Sequence, residues 1–251
     1  MPNWNKNGNT YLTDLARGII PGARPFGGYG ERTTTGAESN VLWPNGTYTL
    51  PPSAGVQMTI ASTSANDDSA GTGARTIDVH YLDANLAEQM EIITMDGVSN
   101  VLTVATDIRF IQCMHLRTWG SGAVAAGTIT AKNGGVTYAQ ISTGALRCSS
   151  SVRMVPAGYR LMVNAAFSGS LSGSAAAGTI VRLATPTFEG HDFTSSSVFM
   201  PLASAPFQDN SGGLRFDPPL PFTEGQSVGL TFVTDKAATI TGSWFGWLEP
   251  A

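Results

Sequence analysis

The sequence predicts an all-β protein: an extended N-terminal arm followed by two β-sandwich domains of jelly-roll or immunoglobulin-like type. Three observations carry the prediction. From Val56 onward, apolar and polar residues alternate with a period of two through one segment after another. Glycine (29 of 251 residues) and proline (14) punctuate the chain between those segments. Helical periodicity is confined to one short stretch near the start.

That stretch covers residues 10–17, where Leu12 and Leu15, with Ile19 beyond, form a thin apolar stripe ended by Gly18. It suffices for about two turns of helix. Residues 22–46 are rich in glycine and carry Pro25 and Pro44, yet also Phe26, Tyr29, Val41, Leu42 and Trp43. A segment of this composition builds no core of its own, so its apolar groups need another surface to pack on. Residues 1–46 are therefore read as an arm. Trp4, Tyr11, Leu12, Leu15, Phe26, Tyr29 and Trp43 are its candidate interface residues toward another subunit or protein, because tryptophan and tyrosine dominate binding hot spots. Folding back onto the chain's own first domain is the competing expectation.

The first sandwich is placed at residues 47–134. Its strands are expected at 56–61, 75–82, 90–95, 101–105, 108–117 and 127–132, with a turn at Asp96-Gly97 and closure near Gly134-Gly135. In the fifth of these, Ile108, Phe110, Met114 and Leu116 share one face. The second sandwich takes residues 135–251, with strands at 151–155, 159–167, 178–184, 198–202, 213–217, 228–233 and 239–248. Tyr159, Leu161, Val163, Ala165 and Phe167 are expected on one side of their strand. Pro156-Ala157-Gly158 reads as a turn. The terminal Trp244-Phe245-Gly246-Trp247-Leu248 is too apolar for solvent and should be a paired strand closing its sheet.

Charge bounds the function. Only 13% of residues are charged, against roughly 25% in an average domain. Such a surface suits a protein covered by neighbouring subunits, and equally an all-β fold with many small-residue turns. The net charge is −4 and the 14 lysines and arginines form no run, so nucleic acid is not an expected partner. No apolar run approaches the ~20 residues of a membrane span. The polar start, Met1-Pro2-Asn3-Trp4, lacks the order of a signal peptide.

Candidate chemistry is sparse. Cys113 and Cys148 are expected as two buried thiols rather than a disulfide. His80, His115 and His191 are scattered without ligand spacing, so no metal site and no cofactor are expected. His80 and His115 fall on polar sides of their strands and are read as plain surface residues, a subunit contact being the competing expectation. Asn66-Asp67-Asp68 offers oxygens to a cation, but an Asx-type turn opening the Gly71–Gly73 loop is preferred. Glu88 and Glu91 point to opposite faces and do not pair as an acid and base. Gly169-Ser170-Leu171-Ser172-Gly173 lacks the strand-to-helix setting of a nucleophile elbow. Asn45-Gly46-Thr47 reads as a turn rather than a glycosylated sequon. No catalytic residues are assigned, and no enzyme activity is expected.

Three blocks resemble a family of tailed-bacteriophage virion structural proteins found in podovirus-like and marine phages. They are Tyr11-Leu12-Thr13-Asp14-Leu15-Ala16-Arg17-Gly18-Ile19-Ile20-Pro21-Gly22; Ser64-Ala65-Asn66-Asp67-Asp68-Ser69-Ala70-Gly71-Thr72-Gly73-Ala74-Arg75-Thr76, running on to Gly97; and Val155-Pro156-Ala157-Gly158-Tyr159. The second block is the specific one, while residues 168–178 and the Pro218-Pro219-Leu220-Pro221 run match poorly. The resemblance implies a β-sandwich virion protein without enzymatic activity. The expected role is capsid decoration: binding the major capsid protein and copies of itself at the capsid surface, after assembly in the host cytoplasm. The alternative is a tail or head-fibre module for host receptor or glycan attachment, with Trp119, Tyr138 or Trp247 stacking on sugars.

Overall fold

The computed structural model describes residues 13–15, 17–46, 48–171, 178–186, 199–208 and 211–251, the side chains of 186 and 199–208 excepted. The architecture is all-β, and among the described residues every strand pairing is antiparallel. Near the start, Thr13, Asp14 and Leu15 are helical, and Gly18 follows with φ of 68°, as a residue ending a helix in the left-handed region does.

Two strands come from the stretch read as an arm: β1 (Arg24–Thr33) and β2 (Glu38–Val41). The next group is β3 (Thr59–Ser62), β4 (Ala74–Leu82), β5 (Glu88–Thr94), β6 (Val101–Leu102), β7 (Phe110–Trp119), β8 (Ile129–Asn133) and β9 (Val136–Ile141). The last is β10 (Arg153–Met154), β11 (Tyr159–Leu171), β12 (Gly178–Pro186), β13 (Phe199–Gln208), β14 (Ser211–Phe222), β15 (Ser227–Thr234) and β16 (Thr239–Pro250).

The middle group forms two sheets, ordered β6-β3-β8-β9 and β5-β4-β7. Both contribute to one core containing Met58, Ile60, Ile77, Val79, Ile93, Met114, Ile129 and Ile141. The period-two alternation is the physical cause: Ile77, Val79 and Tyr81 turn inward while Asp78 and His80 turn out. A second pair of sheets is ordered β1-β16-β11-β14 and β10-β15-β12-β13, with β2 added against β15. They share a core built on Leu161, Val163, Leu183, Leu230, Phe232, Ile240 and Trp244.

Three expectations are corrected. First, residues 24–41 are not an irregular arm. β1 pairs with β16 from Arg24↔Leu248 to Thr33↔Thr239, and β2 pairs with β15, so β16 is flanked on both sides. The glycines that suggested irregularity permit close approach: a Cβ on Gly28 would lie 2.2 Å from Ser151 O, and one on Gly30 2.1 Å from Leu42 O. Second, Gly134-Gly135 does not close a domain. With φ of 55° and 88°, these residues make the tight turn of the β8–β9 hairpin, and the first core runs on to Cys148. Third, bulges reverse side-chain parity. The β4–β7 register skips between His80/Tyr81, so Phe110 faces away from Met114 and Leu116.

Between the two pairs of sheets lies a third cluster: Val41, Trp43, Tyr48, Leu82, Leu86, Phe110, Val152 and Met154. Trp43 and Tyr48 meet edge to face at 5.0 Å, and Gln112 Nε2 donates to Met154 O at 2.6 Å. This seam holds the halves against each other.

Candidate interaction surfaces

The outer face of the β1-β16-β11-β14 sheet carries exposed aromatic side chains. A register irregularity between Val163/Ala165 shifts the alternation of β11. Leu161 and Val163 therefore enter the core while Phe167, expected beside them, turns out and is 40% exposed. Phe167 stacks on Phe245 (46% exposed), with ring centroids 5.4 Å apart and 21° between planes. Tyr29 pairs with Ser243, which also pairs with Phe167, so one row runs from β1 across the sheet. Leu171 stands 73% exposed farther along β11. Beside these rings lies an open groove of about 410 Å³, lined by Tyr29, Phe167, Ser211, Gly213, Thr241 and Ser243. Tyr29 Oη donates to Glu31 at 2.8 Å; burial first, then that hydrogen bond, pushes its phenol up to about 12.

The other candidates for the arm divide. Trp4, Tyr11 and Leu12 lie outside the described residues. Leu15 is buried, and Phe26 is half-buried with its ring 6.2 Å from Trp244. Trp43 is fully buried and its indole donates to Gly46 O at 2.7 Å, which makes it a core residue and not an external anchor. Of the residues considered for stacking on sugars, Trp119 is exposed, whereas Tyr138 and Trp247 are buried.

The Asn66-Asp67-Asp68 loop is organised around a buried carboxylate. Asp67 Oδ1 accepts from Ala74 N (2.7 Å) and Ala126 N (2.8 Å), and Oδ2 from Ser62 Oγ (2.6 Å) and Gly127 N (2.8 Å). Asp68 Oδ1 accepts from Ala70 N at 3.0 Å, the expected Asx-type turn. A Cβ on Gly73 would lie 2.2 Å from Asp67 Oδ1, which explains the glycine. The acidic run thus ties its own loop together. Glu88 pairs with Arg24, and Glu91 accepts the Val104 and Ala105 N–H groups, so these two carboxylates serve different contacts.

On the outer face of the β5-β4-β7 sheet, histidines that looked scattered come together. Asp78 pairs with His115 across β4 and β7, and His80 lies two residues along β4. The His80 and His115 rings stack at 5.1 Å with 16° between planes. His115 Nε2 lies 3.1 Å from Asp78 Oδ2, while Arg117 NH1 donates to Asp78 Oδ1 at 3.1 Å. Burial first, then the neighbouring His115, lowers the pKa of His80. Met90 and Ile92 of β5, opposite His80 and Asp78, are exposed alongside. No spacing within the sequence reveals this group, because it exists only in the β4–β7 register.

Cys113 and Cys148 are free thiols with Sγ atoms 3.3 Å apart. Their contact first, then burial, pushes the Cys113 thiol up. Among the described residues, no helix is long and apolar enough to cross a membrane.

No protein-family model matches the chain, and no curated protein matches it. Among solved structures it is similar to that of the infectious bursal disease virus Gx strain, at 11% identity over 90% of this chain and 71% of that one, with a TM-score of 0.25. The VP2 subviral particle of the same virus matches at 10% identity over 96% and 77%, with a TM-score of 0.21. Likeness at this level carries no argument about fold or function.

Proposed function

We propose that the chain is a virion structural protein of a tailed bacteriophage: a capsid decoration protein that binds the major capsid protein and copies of itself and stabilises the head. The observation that carries this reading is the aromatic outer face of the β1-β16-β11-β14 sheet, where Tyr29, Phe167, Phe245 and Leu171 stand exposed. Contiguous exposed apolar groups mark interaction sites, and aromatic side chains dominate binding hot spots. The charged fraction of 13% and the three sequence blocks described above support the same reading.

Many copies, each burying about 800 Å² or more per partner, stabilise a shell by mass action. In this reading the chain binds at the capsid surface, reaches it in the host cytoplasm, and does not catalyse. Deleting residues 1–46 is not a clean test, because it removes β1 and β2 from the sheets they complete. The test is a Phe167→Ser/Phe245→Ser variant, assayed by co-sedimentation with capsids lacking the protein. Binding is expected to weaken roughly tenfold or more. Wild-type binding by a folded variant would overturn the assignment of this face.

A second reading, attachment to a host receptor or glycan from a tail or head fibre, is favoured by the groove beside the same rings. Its lining sets the Tyr29 and Phe167 rings among the hydroxyls of Ser211, Thr241 and Ser243, a combination that suits sugars. Saturable oligosaccharide binding that Tyr29→Ala abolishes, without capsid binding, would select that reading.

A further inference from the structure

We propose that Asp78, His80 and His115 form a binding site for a divalent first-row transition ion, zinc foremost. The argument is independent of the virion reading and rests on the β4–β7 register. Each of the three side chains offers one ligand atom, and these atoms lie within 4.8 Å of one another. Around a tetrahedral ion with bonds of about 2.0–2.1 Å, ligand atoms sit about 3.3 Å apart. Small side-chain rotations therefore close the set.

The groups are suited to the task. Two imidazoles and a carboxylate favour zinc, copper, iron or nickel over calcium or magnesium, which prefer oxygen throughout. Asp78 is nearly buried, and its Oδ1 is held by Arg117 NH1 at 3.1 Å, which leaves Oδ2 turned toward His115 Nε2, also at 3.1 Å. Such an outer hydrogen bond is the kind that orients a ligating carboxylate. Arg117 also brings a positive charge, which weakens cation binding without blocking the Oδ2 side. His115 is 40% exposed at its side chain, so an ion can enter from solvent. Three protein ligands leave a coordination position for water or a group from a neighbouring molecule.

The experiment is calorimetric titration of the full chain with zinc chloride near pH 7.5, where free imidazoles are largely neutral. Thermal unfolding with and without chelator accompanies it, together with the cobalt(II) absorption spectrum. One ion per chain, a chelator-reversible rise in Tm and a cobalt spectrum without thiolate bands are expected. Binding should be lost in His80→Ala/His115→Ala, whose partly exposed side chains leave the core intact, and weakened in Asp78→Asn. Absence of saturable binding would overturn the site. So would unchanged binding in the double-histidine variant, or thiolate bands placing the ion at Cys113 and Cys148.

Discussion

Asp67 Oδ1 accepts the backbone N–H of Ala74 at 2.7 Å, and this bond starts β4. The same carboxylate binds Ala126, Gly127 and Ser62, tying the loop before β4 to the entry of β8 and the end of β3. Asp67→Ala leaves four donors without their acceptor in a fully buried place. The expected loss is on the order of 3–5 kcal/mol. The urea midpoint measures it; a loss below about 1 kcal/mol would show that water replaces the carboxylate.

Gly30 tests whether β1 belongs to the second core. Its absent Cβ would lie 2.1 Å from Leu42 O, whereas a Cβ on Gly36 meets nothing within 4 Å. Gly30→Ala is expected to destabilise by about 1–3 kcal/mol and Gly36→Ala hardly at all. Equal midpoints for the two variants would contradict the close approach of β1 to Leu42 and Ser151.

Alkaline pH should weaken the seam between the halves. Burial raises the Tyr48 phenol well above its ordinary value, and Tyr29 is raised to about 12. A phenol raised in the folded state keeps its proton after the unfolded chain, titrating near pH 10, has lost it. Its stabilisation is therefore whole below about pH 10 and falls as pH rises above that. Urea midpoints between about pH 9 and about pH 11 should drop in the wild type and drop less in Tyr48→Phe. An equal drop in both would remove Tyr48 from the cause.

The Cys113–Cys148 contact should close under a thiol oxidant. With diamide, the two thiols pass two electrons and two protons to the reagent, which becomes the hydrazine as the disulfide forms. Intact-mass spectrometry should find the chain two hydrogens lighter, and Cys148→Ser unchanged. No mass change in the wild type would mean that burial shields the pair.

Much of the fold was legible because alternation survives wherever one face of a strand is buried. β4, β11, β15 and β16 stand near the places their apolar periods indicated. What escaped has physical causes. The β1 glycines read as an irregular arm because the close backbone approach that demands them is visible only in three dimensions. Phe167 read as sharing a face with Leu161 and Val163 because one bulge, which no residue announces, reverses the parity of β11. Asp78, His80 and His115 read as unrelated because their proximity is a matter of register between two strands. The Asp67 loop was recognised as an organised turn, but its buried carboxylate hub depends on Ala126 and Gly127 in the loop before β8, far along the chain.

The measurement that tests the proposed virion role most directly is the copy number of this chain in purified virus particles. Quantitative mass spectrometry against the major capsid protein supplies it. A capsid decoration protein predicts a number comparable with that of the major capsid protein; absence of the chain from the particles would contradict the account.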